Sequence, residues 1–396
     1  MQNFKLNETE ILSNQDWTFP TNTAYGPGRF KEIGDQCNKF GIRNPLIVTD
    51  NGSTKLPFIN ELKELLLKAN IKSDLFSEIS PNPREDEISV GCKKYKDGNH
   101  DSIIAIGGGS AMDGGKLICL TANNDIPLRD FEFELTPPKI SKDNPFPKII
   151  TIPTTAGTGA ETEITAMVTY LKEGMKFCMW HPDVRPVLAL VDPELTLGLP
   201  SSLTAWTGVD AMVHAIEGYC VPGFHPLCDG SALESLSLIS KSLYLAVEEP
   251  KNLIARGGMH IGSYLGGIAF LKGLGNVHSI SHMVGAEFNT QHGLTNAIIL
   301  PVVLKYNLYD MDEKVKRMSE AMQFKDHSVD SVINNIEKML DRLQIPKSLS
   351  EIGVTEDCVD RIAEKAMKDQ AYATNPKKAS YEDMKEMVMQ SIKKAR

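Results

Sequence analysis

Residues 103–116 read Ile103-Ile104-Ala105-Ile106-Gly107-Gly108-Gly109-Ser110-Ala111-Met112-Asp113-Gly114-Gly115-Lys116, and they decide the fold. The apolar, β-branched start predicts a buried strand, and the residues after the three glycines are compatible with a helix. Glycine lets the backbone approach a pyrophosphate, and a helix N-terminus offers unpaired N–H groups and a favourable dipole. A second loop, Pro153-Thr154-Thr155-Ala156-Gly157-Thr158-Gly159-Ala160-Glu161, comes after another strand candidate, Lys148–Ile152. Its hydroxyls are able to hold cofactor oxygens. Two such loops after two parallel strands fit a dinucleotide. Neither has the G-x-G-x-x-G spacing, and either one alone is also what a plain connecting turn looks like.

On the N-terminal side, Pro45–Thr49 predicts a strand and Asn60–Ala69 a helix ahead of the strand at Ile103–Ile106, and that alternation predicts a parallel sheet. Ala166–Tyr170 and Val187–Val191 are further strand candidates, the last closed by Asp192-Pro193. From about Pro200 the pattern turns helical: Ser202–Tyr219, Asp229–Ala246, Leu253–Ala269, Ser328–Leu343, Asp357–Met367 and Tyr381–Ala395, with a break at Thr374-Asn375-Pro376. A chain of 396 residues exceeds what one core usually serves. The expectation is therefore an α/β dinucleotide-binding domain with a parallel sheet over residues 1–199 and an all-helical, metal-binding domain over residues 200–396. Asp50 ends the first strand, where an acid can bond a ribose hydroxyl and repel a 2′-phosphate, favouring NAD over NADP. A solvated turn aspartate fits that position equally well.

The net charge of −9, with no basic run, argues against nucleic acid and against membrane-binding basic helices. Seven scattered cysteines without a C-x-x-C pair have the look of reduced cytosolic thiols. The N-terminal stretch interleaves charged with apolar residues and predicts neither a signal peptide nor a membrane span. These features place the protein in the cytoplasm.

The metal signal lies in the helical half. Asp210 and His214, four apart, share one helix face, and His278, His282 and His292 lie farther on within fifteen residues of one another. A lone histidine in an apolar segment is more often a core residue than a ligand, but this grouping favours a metal. One carboxylate with three imidazoles suits iron(II), zinc or another divalent transition ion and leaves room for a substrate oxygen. Five candidates exceed that need. His100, His181, His225, His260 and His327 lack grouped partners and read as surface or packing residues, and the cysteines as buried thiols.

These residues resemble the iron-containing, or group III, alcohol dehydrogenases from about Tyr25 to Pro376. The most specific segments are Gly107–Lys116, Pro153–Glu161, Val191–Thr196, Asp210–Tyr219 and His292–Pro301. The resemblance implies a cleft active site, with Asp210, His214, His278 and His292 as ligands of iron(II), sometimes replaced by zinc. It implies that His282 is a further active-site histidine on a proton path. It also puts Asp50 near the adenosine ribose of NAD, Gly107, Gly108, Gly109, Ser110 and Asp113 around the pyrophosphate, Thr154, Thr155 and Thr158 nearby, and Lys176 within reach of the cofactor. A homodimer or larger homo-oligomer is the family expectation, and the substrate is a small alcohol, aldehyde or ketone. Phe177–Pro186 and Phe270–Gly273 depart from the family pattern, which leaves the substrate unnamed. Two rivals remain: a metal- and NAD-dependent cyclising lyase like dehydroquinate synthase, for which Lys272 and Arg256 are the chief phosphate-binding cations, and a non-catalytic assembly subunit.

Overall fold

The computed structural model describes residues 15–17 and 21–396, so most of the N-terminal stretch read for a leader lies outside the described residues. The described chain forms two compact units, one of residues 15–17, 21–155 and 160–198, the other of residues 156–159 and 199–396.

The first unit is built on nine strands: β1 Gln15–Trp17, β2 Thr23–Tyr25, β3 Pro45–Asp50, β4 Asp74–Ile79, β5 Ser102–Gly107, β6 Lys148–Pro153, β7 Thr165–Tyr170, β8 Met175–Trp180 and β9 Leu188–Val191. Seven form one sheet in the order β1-β2-β9-β6-β5-β3-β4, parallel throughout except for β1. Four helices connect them: α1 Ile33–Phe40, α2 Pro57–Lys68, α3 Glu85–Asp97 and α4 Gly109–Ala122. Strand alternation sorts the core into two faces. Leu46, Val48, Ile103, Ala105 and Ile149 pack with Ile88 of α3 and with Met112, Leu117 and Ile118 of α4. Ile47, Ile104, Ile106, Ile150 and Ile152 pack with Ile33 of α1 and with Ile59, Leu62 and Leu66 of α2. A sheet covered on both faces explains why its central strands read as nearly continuous apolar runs.

The chain runs from β3 out to β4, then back across to β5 on the other side of β3. The strand order therefore switches direction between β3 and β5, and the crevice at the carboxyl ends of two such strands is where open α/β sheets bind ligands. The run Ala166–Tyr170 is a strand, but not of this sheet: β7 pairs antiparallel with β8 in a separate two-stranded ribbon. The link of residues 171–174 is far too short for a parallel crossover, and Gly174 takes φ 57° to close the turn.

The second unit is helical. It contains α5 Ser201–Cys220, α6 Pro226–Glu248, α7 Leu253–Ala269, α8 Asn276–Phe288, α9 His292–Asn307, α10 Asp312–Ala321, α11 Val329–Arg342, α12 Val359–Ala366, α13 Gln370–Thr374 and α14 Tyr381–Lys393. α5 is the axis of this unit: it packs against α6, α7 and α9, and from Thr204 to Cys220 only Trp206 escapes burial. Side chains open several of the helices. Asn252 caps α7 by accepting from the Ala255 N–H, Gln291 caps α9 by accepting from Leu294, and Ser380 with Asp383 forms a capping box on α14. Among the described residues no helix is long and apolar enough to cross a membrane.

Candidate active site

On the helical axis, Asp210, His214 and Glu217 stand at i, i+4 and i+7, a polar stripe on an otherwise apolar, buried helix. Burial of such groups is costly unless each has a partner. α8 brings His278 and α9 brings His292. Gly293 permits that approach, since a Cβ there would lie 2.5 Å from the Trp206 carbonyl oxygen and 3.0 Å from the Asp210 Cβ. Asp210, His214, His278 and His292 each offer one ligand atom, and these four atoms lie within 4.8 Å of one another. The His214 and His278 rings stack at 4.7 Å between centroids, and His292 Nε2 lies 3.7 Å from an Asp210 oxygen.

Outer contacts fix which ring nitrogen carries the lone pair. His214 Nδ1 is 3.2 Å from the Gly157 carbonyl, to which it donates, and His278 Nδ1 is 2.7 Å from Glu217 Oε2. Both Nε2 atoms are thereby left as acceptors, the arrangement a metal ligand requires. Burial pushes His214 down to about 4, against an opposing pull from Asp210, so its imidazole is neutral at physiological pH. Glu217 also accepts from the backbone N–H groups of Gly275 at 3.0 Å and Val277 at 2.8 Å, at the N-terminus of α8. One buried carboxylate thus caps that helix and holds His278.

His282, one turn after His278, is not among the four converging residues. Its Nδ1 lies 2.9 Å from Asp369 Oδ2, its ring stacks on His292 at 5.5 Å, and Asp369 also caps α13 through the Ala371 N–H. Asp210, Glu217 and Asp369 are all buried, and their only ion-pair partners among the described residues are histidines. Three buried carboxylates gathered in one cluster favour a divalent cation, which offsets their charge. The donor set fits such an ion.

In the sheet unit, Asp50, Gly107 and Thr154 meet at the carboxyl ends of β3, β5 and β6. The Thr154 N–H donates to the Gly107 carbonyl at 2.8 Å, and a Cβ on Gly107, whose φ is 147°, would lie 2.9 Å from Asp50 Oδ2. Thr155 faces Gly108, the N-cap of α4, and no side chain caps that helix start, so Gly109 and Ser110 open it with their amides toward the loop. Asp50 accepts from the Ser53 N–H at 2.9 Å and the Ser53 hydroxyl at 2.7 Å, so it is an ordered turn residue rather than a freely solvated one. Burial raises Asp113 to about 6, with Lys116 and Lys176 opposing the rise. Lys176 sits buried on β8 opposite Thr169, and Thr158 belongs to the short segment grouped with the helical unit.

The remaining histidines sit apart from the cluster. His225 caps α6, His181 packs edge-on against Phe146, His100 bonds the Asn44 carbonyl, His327 bonds Ser319, and His260 is buried with neither nitrogen partnered among the described residues. None of the seven cysteines is in a disulfide, and all but Cys92 are buried. The cations that a phosphate-binding lyase would need are engaged elsewhere. Lys272 pairs with Asp229 and the Tyr219 carbonyl, and Arg256 bonds Thr204 Oγ1 at 2.7 Å and the carbonyls of Leu199 and Pro250. Of the two atypical segments, Phe270 lies with its ring 4.9 Å from that of His214, and Phe177 packs under the Arg129 guanidinium at 3.6 Å. Sequence reasoning missed Glu217 and Asp369. An acid three residues after His214 in an apolar helix was a readable signal for the first; the second, 87 positions from His282, left none.

Residues 20–193 match the family model described as iron-containing alcohol dehydrogenase, and residues 204–392 match that of the C-terminal part of the Fe-containing alcohol dehydrogenase family. Alcohol dehydrogenase 4 of Schizosaccharomyces pombe is 34% identical over 92% of this chain and 86% of its own length. The NAD-dependent methanol dehydrogenase of Bacillus methanolicus is 31% identical over 94% of this chain and 98% of its own. A crystal structure of 1,3-propanediol oxidoreductase superposes with a TM-score of 0.89 at 30% identity, covering 96% of this chain and all of the other.

Proposed function

The chain belongs to the iron-containing alcohol dehydrogenase family, and on that premise we propose that Asp210, His214, His278 and His292 hold one divalent metal ion, iron(II) foremost and zinc as its substitute. The protein is a metal-dependent oxidoreductase that moves a hydride between NAD(H) and a small alcohol, aldehyde or ketone. The observation that carries the ligand assignment is the convergence of one carboxylate and three imidazoles within 4.8 Å. When bound, the metal supplies Lewis acidity toward the substrate oxygen and NAD supplies the hydride acceptor.

The chain's own residues do the rest. Glu217 and the Gly157 carbonyl hold two imidazoles with Nε2 inward. His282, its Nδ1 tied to Asp369, has Nε2 available to take the alcohol proton and pass it toward solvent. Gly107, Gly108, Gly109 and Ser110, with Asp113, Thr154, Thr155, Thr158 and Lys176, form the cofactor's phosphate and nicotinamide contacts. Asp50 stands at the ribose and disfavours a 2′-phosphate. Relatives named for methanol and 1,3-propanediol point to short primary alcohols or diols as substrates. Assembly into a homodimer or larger oligomer and residence in the cytoplasm complete the proposal.

The test is NADH formation by chelator-stripped protein restored anaerobically with iron(II) or zinc, against a panel of alcohols, diols and hydroxy acids. Net NADH that requires the metal supports the proposal. A turnover that consumes substrate without accumulating NADH would turn it toward the cyclising lyase, and silence with metal and NAD both bound would turn it toward the assembly subunit.

A further inference from the structure

Asn296 lies one turn beyond His292 on α9, fully buried. Its side-chain nitrogen is 2.7 Å from Asp210 Oδ1, 3.1 Å from His292 Nε2 and 3.2 Å from His278 Nε2. Its side-chain oxygen has no hydrogen-bond partner among the described residues. Chemistry fixes which end of the amide points inward. Asp210 accepts only, and His278 Nε2 is an acceptor because Nδ1 donates to Glu217. An inward oxygen would oppose two acceptors, Asp210 Oδ1 and His278 Nε2, so the nitrogen faces the cluster even though this strands the oxygen.

We propose that Asn296 is a positioning residue of the metal centre: one side-chain N–H donates to Asp210 Oδ1 and fixes the orientation of that carboxylate toward the histidines, and the other faces the His278 and His292 Nε2 atoms only until a cation takes them. This rests on the assignment of Asp210, His278 and His292 as ligands. A donor at this point does two things. Without a cation it gathers groups that would otherwise repel one another. With one, it ties down the ligand whose two oxygens would otherwise compete for the ion.

Two substitutions differ in sign. Asn296→Leu keeps the branched shape, with bulkier ends, and removes the donor, so the ligands lose their tether. Asn296→Asp replaces the donor by an acceptor beside Asp210, so the metal-free protein loses stability and a cation restores more of it.

The experiment is zinc competition against a chromophoric chelator, with thermal melts of metal-free and zinc-loaded protein. Wild type, Asn296→Leu, Asn296→Asp and, should the leucine variant not fold, Asn296→Ala are compared. Outer contacts of metal ligands typically contribute 10–100-fold in affinity, and Asn296→Leu or Asn296→Ala is expected to weaken zinc by about that factor with the metal-free fold retained. Asn296→Asp is expected to show a larger zinc-induced rise in Tm than wild type. Zinc affinity within twofold of wild type in the donor-free variant, or metal-free and loaded melts that fall in parallel in both variants, would overturn the proposal. Failure of the wild-type protein to take up zinc at all would instead overturn the ligand assignment beneath it.

Discussion

Replacing Glu217 by glutamine tests how the site is held. The carboxylate serves three donors: Oε2 accepts from His278 Nδ1 and the Gly275 N–H, and Oε1 from the Val277 N–H. A glutamine of the same shape must place its NH2 in one of those two positions. If it takes the Oε1 place, it meets the Val277 N–H as donor against donor. If it takes the Oε2 place, it opposes the Gly275 N–H and forces His278 into the tautomer whose Nε2 carries hydrogen, which cannot bind a cation. Either choice strands at least one buried donor, at a cost of about 1–3 kcal/mol in stability. Loss of the carboxylate behind His278 is expected to lower metal affinity about 10–100-fold. Chelator competition with iron(II) or zinc measures the second effect, and denaturant unfolding of the metal-free protein the first. A Glu217→Gln protein with unchanged unfolding free energy and metal affinity within twofold of wild type would show that Glu217 does not hold the site.

Other parts of the molecule give three further expected outcomes. Gly293→Ala puts a methyl 2.5 Å from the Trp206 carbonyl, so α9 must shift away from α5; melting and metal content should both fall, and an unchanged metal content would count against the packing account. In the sheet unit, burial raises Glu161 and Glu163 to about 7 from an ordinary 4.5, so stability from keeping them protonated is present below pH 4.5 and is lost as pH rises toward 7. Glu163→Gln should flatten the fall in unfolding free energy across that window by on the order of 1–3 kcal/mol, read by denaturant unfolding at several pH values, and a slope equal to that of wild type would contradict it. Asp50→Gly should raise kcat/KM for NADP relative to NAD by about tenfold, read from initial rates with both cofactors; an unchanged ratio removes Asp50 from the ribose.

The sheet and the helical half were legible because their signals are local. The runs at residues 45–50, 102–107 and 148–153 are apolar at their centres because both faces of the sheet are covered, and the start of Leu253–Ala269 is marked by Asn252, which caps it. β4 was obscured by half-exposed polar residues, since it is the sheet edge, and α8 and α9 by the very histidines and asparagines that break their apolar pattern. Among the site residues, Asp210 and His214 declare themselves by spacing. Asp369 and Asn375 do not. Asn375 accepts from the Asn276 N–H at 3.0 Å and Thr374 donates to the Leu274 carbonyl at 2.7 Å, so the break read at Thr374-Asn375-Pro376 is a strap on the start of α8. Contacts of that kind join residues about a hundred positions apart, and no periodicity carries them.

Whether Asp210, His214, His278 and His292 hold a working metal is settled by an anaerobic titration of the metal-free protein with iron(II), with NADH formation from a short-chain alcohol measured in the wild type and in His278→Ala. Four converging ligands predict activity that rises linearly and breaks at one equivalent per chain, with no rise in the variant. Activity without added metal, or the same rise in His278→Ala, would contradict it.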